Sequence, residues 1–491
     1  MNKSTSSLFV IFTFCFLLPI SYLYSQSGWG EDIRLTFDYA YNADPRAACC
    51  GDTVHLVWWK NYLDSLSNYR EEIFYKRSTD AGLLWENDVR LTPEDSISAV
   101  TPSIAVWGNN VHVVWKEQTA YYFAICYRKS EDDGETWGSI DTILKTNLDG
   151  WYHPWITTDS NNVFLVTIKS GSGGQLVFVK STDNGNSWLP SQEITRATNR
   201  PCVVNSKIDT SFLTVVYSIT TEIYNIRSYS NGTTWSDSEV ISENDGVGSQ
   251  LPAMDTDDSS GIHVSWYDYK YSPYAWTGDI FYRVSRDSGD TWEEIDSLTV
   301  MHRAVASDIL AESNNLHLVW EDDRNDFDDN FEIYYRMSTD LGQIWNSEER
   351  LTSAPYKSIN PSLACGGDYL HLFWSDLRDS GNTGPWVLYY KRKDLSQAIV
   401  ETDIYPLFST LMFDVYPNPL STTIDIRWQI TDDSKKTILK IFDILGKEVM
   451  FYDLKGRKEI TIDTQDLPCG VYFVQVKASE QSGIKKVIKV K

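Results

Sequence analysis

A nine-residue motif returns six times along this chain of 491 residues. Its skeleton is Ser-x-Asp-x-Gly-x-x-Trp, and the copies are RSTDAGLLW (77–85), KSEDDGETW (129–137), KSTDNGNSW (180–188), RSYSNGTTW (227–235), VSRDSGDTW (284–292) and MSTDLGQIW (337–345). Only the fourth copy departs from the pattern, with Ser230 in place of the aspartate. We call these segments boxes. A period of roughly 50 residues predicts an array of supersecondary units.

Short alternating segments around each box predict four strands per unit. Second strands precede the boxes and mostly end in Trp, as in VHLVW (54–58), VHVVW (111–115), IHVSW (262–266), LHLVW (316–320) and LHLFW (370–374). First strands begin PRAAC (45–49), PSIAV (102–106), PWITT (154–158), PCVVN (201–205), PAMDT (252–256), SDILA (307–311) and PSLAC (361–365). Third strands run directly into the boxes, so each box is predicted to be the hairpin between strands three and four.

The chain also predicts how this array closes. Seven sets of strands one to three exist, but only six have a fourth strand behind them, and an isolated copy, DIRLT (32–36), stands before the first set. Pairing of this copy with the last set would leave no open sheet edge. The sequence therefore predicts an all-β, seven-bladed β-propeller, with a six-bladed ring as the alternative that leaves one unit unexplained.

The N-terminus and the charge indicate where the protein works. An apolar run after Lys3 followed by small polar residues predicts a signal peptide over 1–25, and no later segment reads as transmembrane. The formal net charge is −25 at pH 7, which argues against nucleic acid as a partner. Seven cysteines without CxxC spacing indicate neither a zinc site nor a disulfide framework.

The six boxes resemble the Asp-box, or bacterial neuraminidase repeat, of sialidase-like propellers, and the resemblance covers about residues 30–395. It implies that the boxes lie on the face opposite the ligand site. It also implies glycan recognition, and, in active members, three arginines that hold a carboxylate beside a Tyr–Glu pair and an acid/base Asp. Arg46 matches the family's first arginine in position, although DPRAAC replaces the Phe-Arg-Ile-Pro motif. Arg200, Arg324 and Arg378 fall on the same predicted face, as does Tyr356.

Three successive units share Trp-x-Asp followed two residues later by a base. The acids are Asp268, Asp322 and Asp376, and the bases are Lys270, Arg324 and Arg378. Such repetition favours ion pairs that brace their own loops, and the alternative is a polar rim that reads sugar hydroxyls or a carboxylate. Aromatic residues near this rim that could stack on sugars are Trp59, Trp155, Tyr267 and Tyr269.

Two further features of the sequence are candidate ligand sites. The loop EDDRNDFDDNFE (321–332) is rich in carboxylates, but it lacks the spacing of an EF-hand, so it favours a solvated acidic loop over a calcium site, and no other cofactor is indicated. Five of seven histidines recur at one second-strand position, which predicts packing or hydrogen bonding. His153 and His302 break that pattern and fall near the predicted site face.

The tail has a different pattern. Residues 396–412 read as a linker, and 413–491 predict a small Ig-like β-sandwich. The segments YPNP (416–419), IFDILGKEV (441–449) and the Lys-rich end resemble the C-terminal sorting domain of type IX secretion substrates in Bacteroidota. That resemblance implies export by the type IX machinery and a secreted or surface-attached location.

Together these patterns predict a secreted sialidase-like propeller over 26–395 that recognises glycans or glycoproteins. Its ligand-binding candidates are Arg46, Arg200, Asp268, Asp322, Arg324, Asp376 and Arg378. The alternatives are an exo-sialidase or other glycoside hydrolase, and a non-catalytic platform for protein interaction or adhesion. No catalytic residue could be assigned, and the absent motif favours a binding protein over an enzyme.

Overall fold

A computed structural model describes the ring-forming part of the chain over residues 28–63, 68–95, 97–147, 149–171, 173–271, 278–299, 303–324 and 330–396. In the tail it describes 413–416, 422–428, 437–443, 447–454, 457, 459–465, 467–468, 470–478 and 481–489. The predicted signal peptide, residues 397–412 of the predicted linker, His302 and Cys469 lie outside these ranges. The chain divides into two compact units, Met1–Ser396 and Gln397–Lys491.

The first unit consists of seven four-stranded antiparallel sheets, numbered here 1 to 7. Ahead of them stands the short strand β1 (Ile33–Arg34). Sheet 1 contains β2 (Tyr41–Cys50), β3 (Thr53–Leu63), β4 (Tyr69–Ser78) and β5 (Val89–Arg90). Sheet 2 contains β6 (Ser98–Trp107), β7 (Asn110–Gln118), β8 (Phe123–Ser130) and β9 (Asp141–Thr146). Sheet 3 contains β10 (Trp151–Thr158), β11 (Val163–Lys169), β12 (Gln175–Ser181) and β13 (Gln192–Thr195). Sheet 4 contains β14 (Asn199–Asn205), β15 (Leu213–Ile219), β16 (Glu222–Ser228) and β17 (Glu239–Val240).

The last three sheets repeat the same order. Sheet 5 contains β18 (Ser249–Thr256), β19 (Ile262–Asp268), β20 (Asp279–Ser285) and β21 (Asp296–Ser297). Sheet 6 contains β22 (Ala304–Glu312), β23 (Asn315–Asp322), β24 (Glu332–Ser338) and β25 (Glu349–Arg350). Sheet 7 contains β26 (Ser358–Gly366), β27 (Tyr369–Asp376) and β28 (Val387–Asp394), with β1 as its fourth strand. The all-β prediction is confirmed, and within the described ranges no helix could cross a membrane.

The seven sheets form a closed ring. Each first strand contacts the first strands of the sheets before and after it, and β2 of sheet 1 contacts β26 of sheet 7. The predicted closure by the N-terminal segment is confirmed, because Ile33 pairs with Tyr390 and Arg34 with Tyr389. Leu35 follows these pairs and is 2% exposed against the core between sheets 7 and 1. The ring therefore has no unpaired outer edge on its last sheet.

Each box forms the turn between a third and a fourth strand, as predicted. In the box of sheet 2, Ser130 Oγ accepts the Gly134 N–H at 2.9 Å, and Asp132 Oδ1 accepts the Thr136 N–H at 2.8 Å. Where the aspartate is missing, Ser230 Oγ takes over its role and accepts the Thr234 N–H at 2.8 Å. Short polar side chains thus satisfy the turn amides, which is their usual advantage in tight turns.

The boxes also hold neighbouring sheets together. Tyr75 of sheet 1 packs edge-on against Trp137 of the sheet 2 box, with ring centroids 4.9 Å apart, and its hydroxyl bonds His55 Nδ1 at 2.7 Å. The same His–Tyr bond, at 2.7–2.8 Å, recurs at His112, His263, His317 and His371, and all five histidines are fully buried. The prediction that these histidines pack and hydrogen-bond is therefore confirmed.

The Thr that ends the predicted fourth strands has a specific role. Thr92 Oγ1 accepts the Ile73 N–H at 3.0 Å and donates to the buried carboxylate of Glu72. Equivalent pairs join Ser242 to Glu222, Thr299 to Asp279 and Thr352 to Ile333 N. Just beyond β5 this side-chain bond adds to the backbone pairing, because the Leu91 N–H also donates to the Ile73 carbonyl at 2.8 Å.

One other prediction concerns the acidic segment 321–332. The predicted solvated acidic loop is wrong for Glu321, Asp322, Asp323 and Glu332, which are between 1% and 6% exposed. Strand pairing holds Glu321, Asp322 and Glu332 inside sheet 6, and Glu321 also accepts the Asn360 N–H. Asp323 follows the strand and forms a salt bridge with Arg303 at 2.9 Å. Cys49 and Cys365 lie close to each other as free thiols, and Cys49 packs against Gly366.

The second unit has two antiparallel sheets. One contains β29 (Phe413–Tyr416), β30 (Thr423–Trp428) and β33 (Glu459–Asp463). The other contains β31 (Thr437–Asp443), β32 (Glu448–Asp453), β34 (Gly470–Ala478) and β35 (Gln481–Lys489). Side chains from both sheets share one apolar core that includes Ile426, Ile441 and Val474.

Candidate functional site

Each of the seven first strands carries a β-bulge near its start. At the bulge the register with the second strand shifts by one residue, as between Ala43 and Arg46 in sheet 1. One residue at each bulge has a φ between 21° and 55°: Asp44, Thr101, His153, Arg200, Leu251, Ala306 and Asn360. A Pro follows in six sheets, and Ser307 follows in sheet 6. Bulges and left-handed non-glycine residues re-aim side chains, and here they do so at seven equivalent places.

The bulges surround one cavity of about 120 Å³. Its lining comes from all seven first strands and consists of residues 44–46, 101–102, 153–155, 200–202, 251–253, 306–308 and 360–361. The cavity thus lies where the seven sheets converge. In each sheet the turn between the first and second strands lies at the same end as the box. The bulges lie at the other end of the first strand, so the cavity is on the face opposite to the boxes.

Two arginines share this cavity. Arg46 and Arg200 line it from sheets 1 and 4, and both are partly buried. The charge of Arg46 contributes, after burial, to lowering the pKa of Arg200. Arg46 lies over the Trp155 ring at 5.4 Å. Within the described part of the chain, neither guanidinium has a hydrogen bond or a salt bridge, so their donors are available to a ligand.

Acidic groups near the arginines are strongly perturbed. Burial raises the pKa of Asp308 to about 6, although its carboxylate accepts the Leu363 N–H at 2.8 Å. Burial likewise raises the pKa of Glu321 to about 7, and Glu321 Oε1 accepts the Asn360 N–H at 2.6 Å. The pKa of His153 falls to about 4 through burial and the charge of Arg200, so this imidazole is neutral at pH 7.

The other five predicted site residues lie elsewhere. Asp268, Asp322, Arg324, Asp376 and Arg378 are all described, and none of them lines the cavity. Arg378 Nη2 donates to Asp376 Oδ2 at 2.7 Å, and Arg324 makes the equivalent bond to Asp322. Asp268 accepts the Lys270 N–H at 2.8 Å. The structure therefore brings only Arg46 and Arg200 of these candidates to the cavity. Arg324 and Arg378 each pair with the Asp of their own loop and with a second acid, Glu348 and Asp32 respectively. The Lys270 ammonium pairs with Glu243.

The cavity lining includes Asp44 and Asp308, which the sequence did not single out. Glu321, which the sequence assigned to a solvated acidic loop, bonds the lining residue Asn360. Asp44 and Arg200 are bulge residues, Asp308 lies two positions after a bulge, and Glu321 follows the second-strand Trp320. At the position of Glu321 the other sheets carry Trp59, Lys116, Ile168, Ser218, Tyr267 and Ser375. The available signal is therefore a repeat position whose residue type changes from sheet to sheet, directly after a position that is Trp in five of the seven sheets.

The roles of the two non-repeat histidines and of the acidic loop as ligand sites remain predictions. His153 does reach the cavity as a bulge residue, whereas His302 is not described. The segment 325–329 of the acidic loop also lies outside the described residues, so the calcium alternative for that loop is open. Among the described residues no group of three or more His, Cys, Asp or Glu side chains could hold a metal ion.

Several solved structures are similar to this chain in fold. A protein of unknown function from Dyadobacter fermentans has 13% identity and a TM-score of 0.46, covering 61% of this chain and 95% of its own. The polysaccharide lyase family 25 ulvan lyase has 9% identity and a TM-score of 0.49, covering 74% and 96%. A mutant of Trypanosoma rangeli sialidase that displays trans-sialidase activity has 13% identity and a TM-score of 0.47, covering 91% and 83%. At these identities no functional residue can be transferred.

The tail has a clearer relative. No curated protein matches the chain. Residues 414–491, however, match the family described as the secretion system C-terminal sorting domain. This match confirms the resemblance of the tail, and it makes the protein one that is exported to the cell surface or released. The last 78 residues of this chain thus belong to the secretion system C-terminal sorting domain family.

Proposed function

We propose that the ring is a seven-bladed, sialidase-like β-propeller that binds an acidic glycan at its central cavity. In this proposal Arg46 and Arg200 hold a sugar carboxylate, and the bulges fix the geometry of both guanidiniums. Arginine suits this task because its planar fork can form two parallel hydrogen bonds to a carboxylate.

One observation carries the proposal: two arginines converge on one cavity without a hydrogen-bonded partner among the described residues. Burial and, after it, the charge of Arg46 lower the pKa of Arg200, so the two like charges in this site repel each other. Asp44 offsets part of that repulsion, but its carboxylate already accepts the Trp59 Nε1–H at 2.9 Å. An anion between the two guanidiniums would relieve the remaining repulsion.

The size of the cavity limits what enters it. Pockets that enclose a whole small ligand usually measure roughly 300–1,000 Å³, well above the 120 Å³ found here. The cavity would therefore hold one end of a ligand, such as a carboxylate, while the sugar ring lies at the mouth. An acidic sugar within a larger glycan can place its carboxylate in the cavity while the rest of the glycan stays outside.

Hydrolysis is a second candidate function because of the carboxyl groups nearby. A general acid works best when its pKa is close to the ambient pH, and Asp308 at about 6 and Glu321 at about 7 meet that condition. Asp308 lines the cavity itself. In that function Asp308 would protonate the leaving oxygen of an acidic sugar held by Arg46.

The test is incubation of the exported protein with a library of sialylated, uronate-containing and neutral glycans, reading retention and released sugar together. We expect retention of acidic glycans only, with at least tenfold weaker binding in Arg46→Ala and Arg200→Ala. Arg196→Ala is the matched control, since Arg196 is exposed and does not line the cavity.

Each outcome separates the candidates. Release of an acidic sugar, lost in Arg46→Ala and in Asp308→Asn, would establish a glycoside hydrolase. Retention without release would establish a binding protein. No retention of any acidic glycan would refute the proposal and favour the platform for protein interaction or adhesion.

For the second unit we propose the Ig-like sandwich over 413–491, joined to the ring over 26–395 by the segment 396–412. The tail would engage the type IX machinery and be removed on export, which leaves the ring released or attached to the cell surface. Mass spectrometry of protein collected from the culture medium tests this, because a retained tail would contradict it.

A further inference from the structure

Three aromatic side chains form a cluster beside the cavity. The Tyr41 ring lies 5.3 Å from the Trp59 ring and 6.3 Å from the Trp386 ring, measured between centroids. The three residues come from β2, from β3 and from the segment that leads into β28, so the cluster joins sheets 1 and 7.

The cluster presents aromatic surface to solvent. Tyr41 is 38% exposed, and both tryptophans are partly exposed. Trp59 rests against the apolar core between sheets 1 and 2, while Tyr41 belongs to none of the ring's apolar cores. Half-exposed Trp and Tyr combine an apolar face with a polar edge, which suits them to binding surfaces.

The repeat shows that the fold does not require an aromatic residue at this place. Tyr41 stands three positions before the bulge residue Asp44. The equivalent residues in the other six sheets are Ser98, Gly150, Ala197, Gly248, Arg303 and Lys357. Since the same ring geometry forms with these small or charged residues, packing alone does not account for Tyr41.

The cluster is continuous with the cavity. Trp59 Nε1 donates to Asp44 Oδ2 at 2.9 Å, and Asp44 lines the cavity beside Arg46. The charge of Asp44 also contributes, after burial, to raising the pKa of Tyr41, which places the Tyr41 hydroxyl near that carboxylate. A ligand whose carboxylate enters the cavity would therefore extend over these rings.

We propose that Tyr41, Trp59 and Trp386 form a stacking subsite for the sugar that adjoins the acidic sugar, so that the ligand is an acidic oligosaccharide or polysaccharide rather than a free acidic sugar. This inference rests on the proposed function of the cavity. Aromatic faces bind the apolar faces of sugar rings, and Asp44 can accept a hydrogen bond from a hydroxyl at the junction of the two subsites.

The test measures the affinity of the full exported protein for matched probes. The pairs are galacturonic acid with tetragalacturonic acid, glucuronic acid with a hyaluronan tetrasaccharide, and sialic acid with sialyllactose. For the pair that binds, we expect the oligosaccharide to bind at least about tenfold more tightly than its acidic monosaccharide. Tyr41→Ala removes that difference and leaves the Kd of the monosaccharide unchanged.

Two further variants separate stacking from folding. Tyr41→Phe keeps the ring and loses the hydroxyl, so the preference for the oligosaccharide persists. Tyr121→Ala removes a tyrosine that is 84% exposed and outside the cluster, and it leaves both affinities unchanged. Equal affinity for the monosaccharide and the oligosaccharide overturns this inference alone. So does a Tyr41→Ala variant that loses affinity equally for both probes. Failure of every acidic probe to bind overturns the proposed function as well.

Discussion

Substitution of Gly134 by Ala tests how the boxes hold the ring together. Gly134 has a φ of 83°, and a Cβ at this position would lie 1.9 Å from the Tyr75 hydroxyl oxygen and 2.7 Å from its Cζ. Tyr75 cannot withdraw, because it is 1% exposed and is held by His55 and Trp137. The Tyr75 side chain must therefore move, and its hydroxyl loses the bond to His55.

The matched control is Gly108→Ala. Gly108 also has a positive φ, 55°, but its Cβ would meet nothing within 4 Å. Both variants carry the left-handed strain of about 1–2 kcal/mol. Only Gly134→Ala adds overpacking of about 1–3 kcal/mol and a broken buried hydrogen bond of about 1–3 kcal/mol. We expect Gly134→Ala to lower the free energy of unfolding by at least about 2 kcal/mol more than Gly108→Ala.

Urea unfolding followed by tryptophan fluorescence measures this difference, since 18 of the 19 tryptophans precede residue 397. Combining Gly134→Ala with Tyr75→Phe supplies a second check. Loss of the hydroxyl removes the 1.9 Å contact, so the glycine substitution should cost less in that background. Equal losses in Gly134→Ala and Gly108→Ala would refute the argument that the box glycine is set by its contact with the preceding sheet.

Three further predictions concern charge, the divergent box and ring closure. The pKa of Glu321 rises from 4.5 to about 7 on burial, so the stability linked to this group is complete below pH 4.5 and is lost as the pH rises through 7. Glu321→Gln should match the parent at pH 4.5 and exceed its unfolding free energy by up to about 3 kcal/mol at pH 8, and equal pH profiles would contradict this. Ser230→Asp should be tolerated and raise the urea midpoint slightly, whereas Asp132→Ser should lower the free energy of unfolding by about 1 kcal/mol. A loss of stability in Ser230→Asp together with a gain in Asp132→Ser would show that the box aspartates do not brace the turn. Leu35→Ala should lower the free energy of unfolding by about 2–5 kcal/mol because Leu35 is buried beside the closing strand. Ile33 is 41% exposed, so Ile33→Ala should lower it by less than about 1 kcal/mol. Equal melting temperatures of the two variants would contradict closure through that strand.

The order of the strands could be predicted from the sequence because every unit repeats it. Period-two alternation marks each second and third strand, and the box marks the turn that follows. The closing role of residues 32–36 followed from a missing fourth strand in the last unit. Strand ends were less predictable. The regular ladder of β5 ends at Arg90, and beyond it a side-chain bond from Thr92 accompanies the backbone bond of Leu91 to Ile73.

The site was only partly predictable because it depends on residues that break the repeat. Arg46 and Arg200 could be selected as arginines next to a first-strand Pro, but the bulge that aims them has no marker beyond that Pro. Glu321 was assigned to a solvated loop on the basis of its acidic neighbours. Its burial follows from the strand that continues through Asp322, and burial of a carboxylate cannot be read from local composition.

The most direct test of the central claim is a calorimetric titration of the exported protein with galacturonic acid and with galactose, which differ in the carboxylate. The account predicts that the acid binds at least about tenfold more tightly than the neutral sugar, and that Arg46→Ala abolishes the difference. Equal binding of the two sugars, or a preference for the acid that persists in Arg46→Ala and Arg200→Ala, would contradict it.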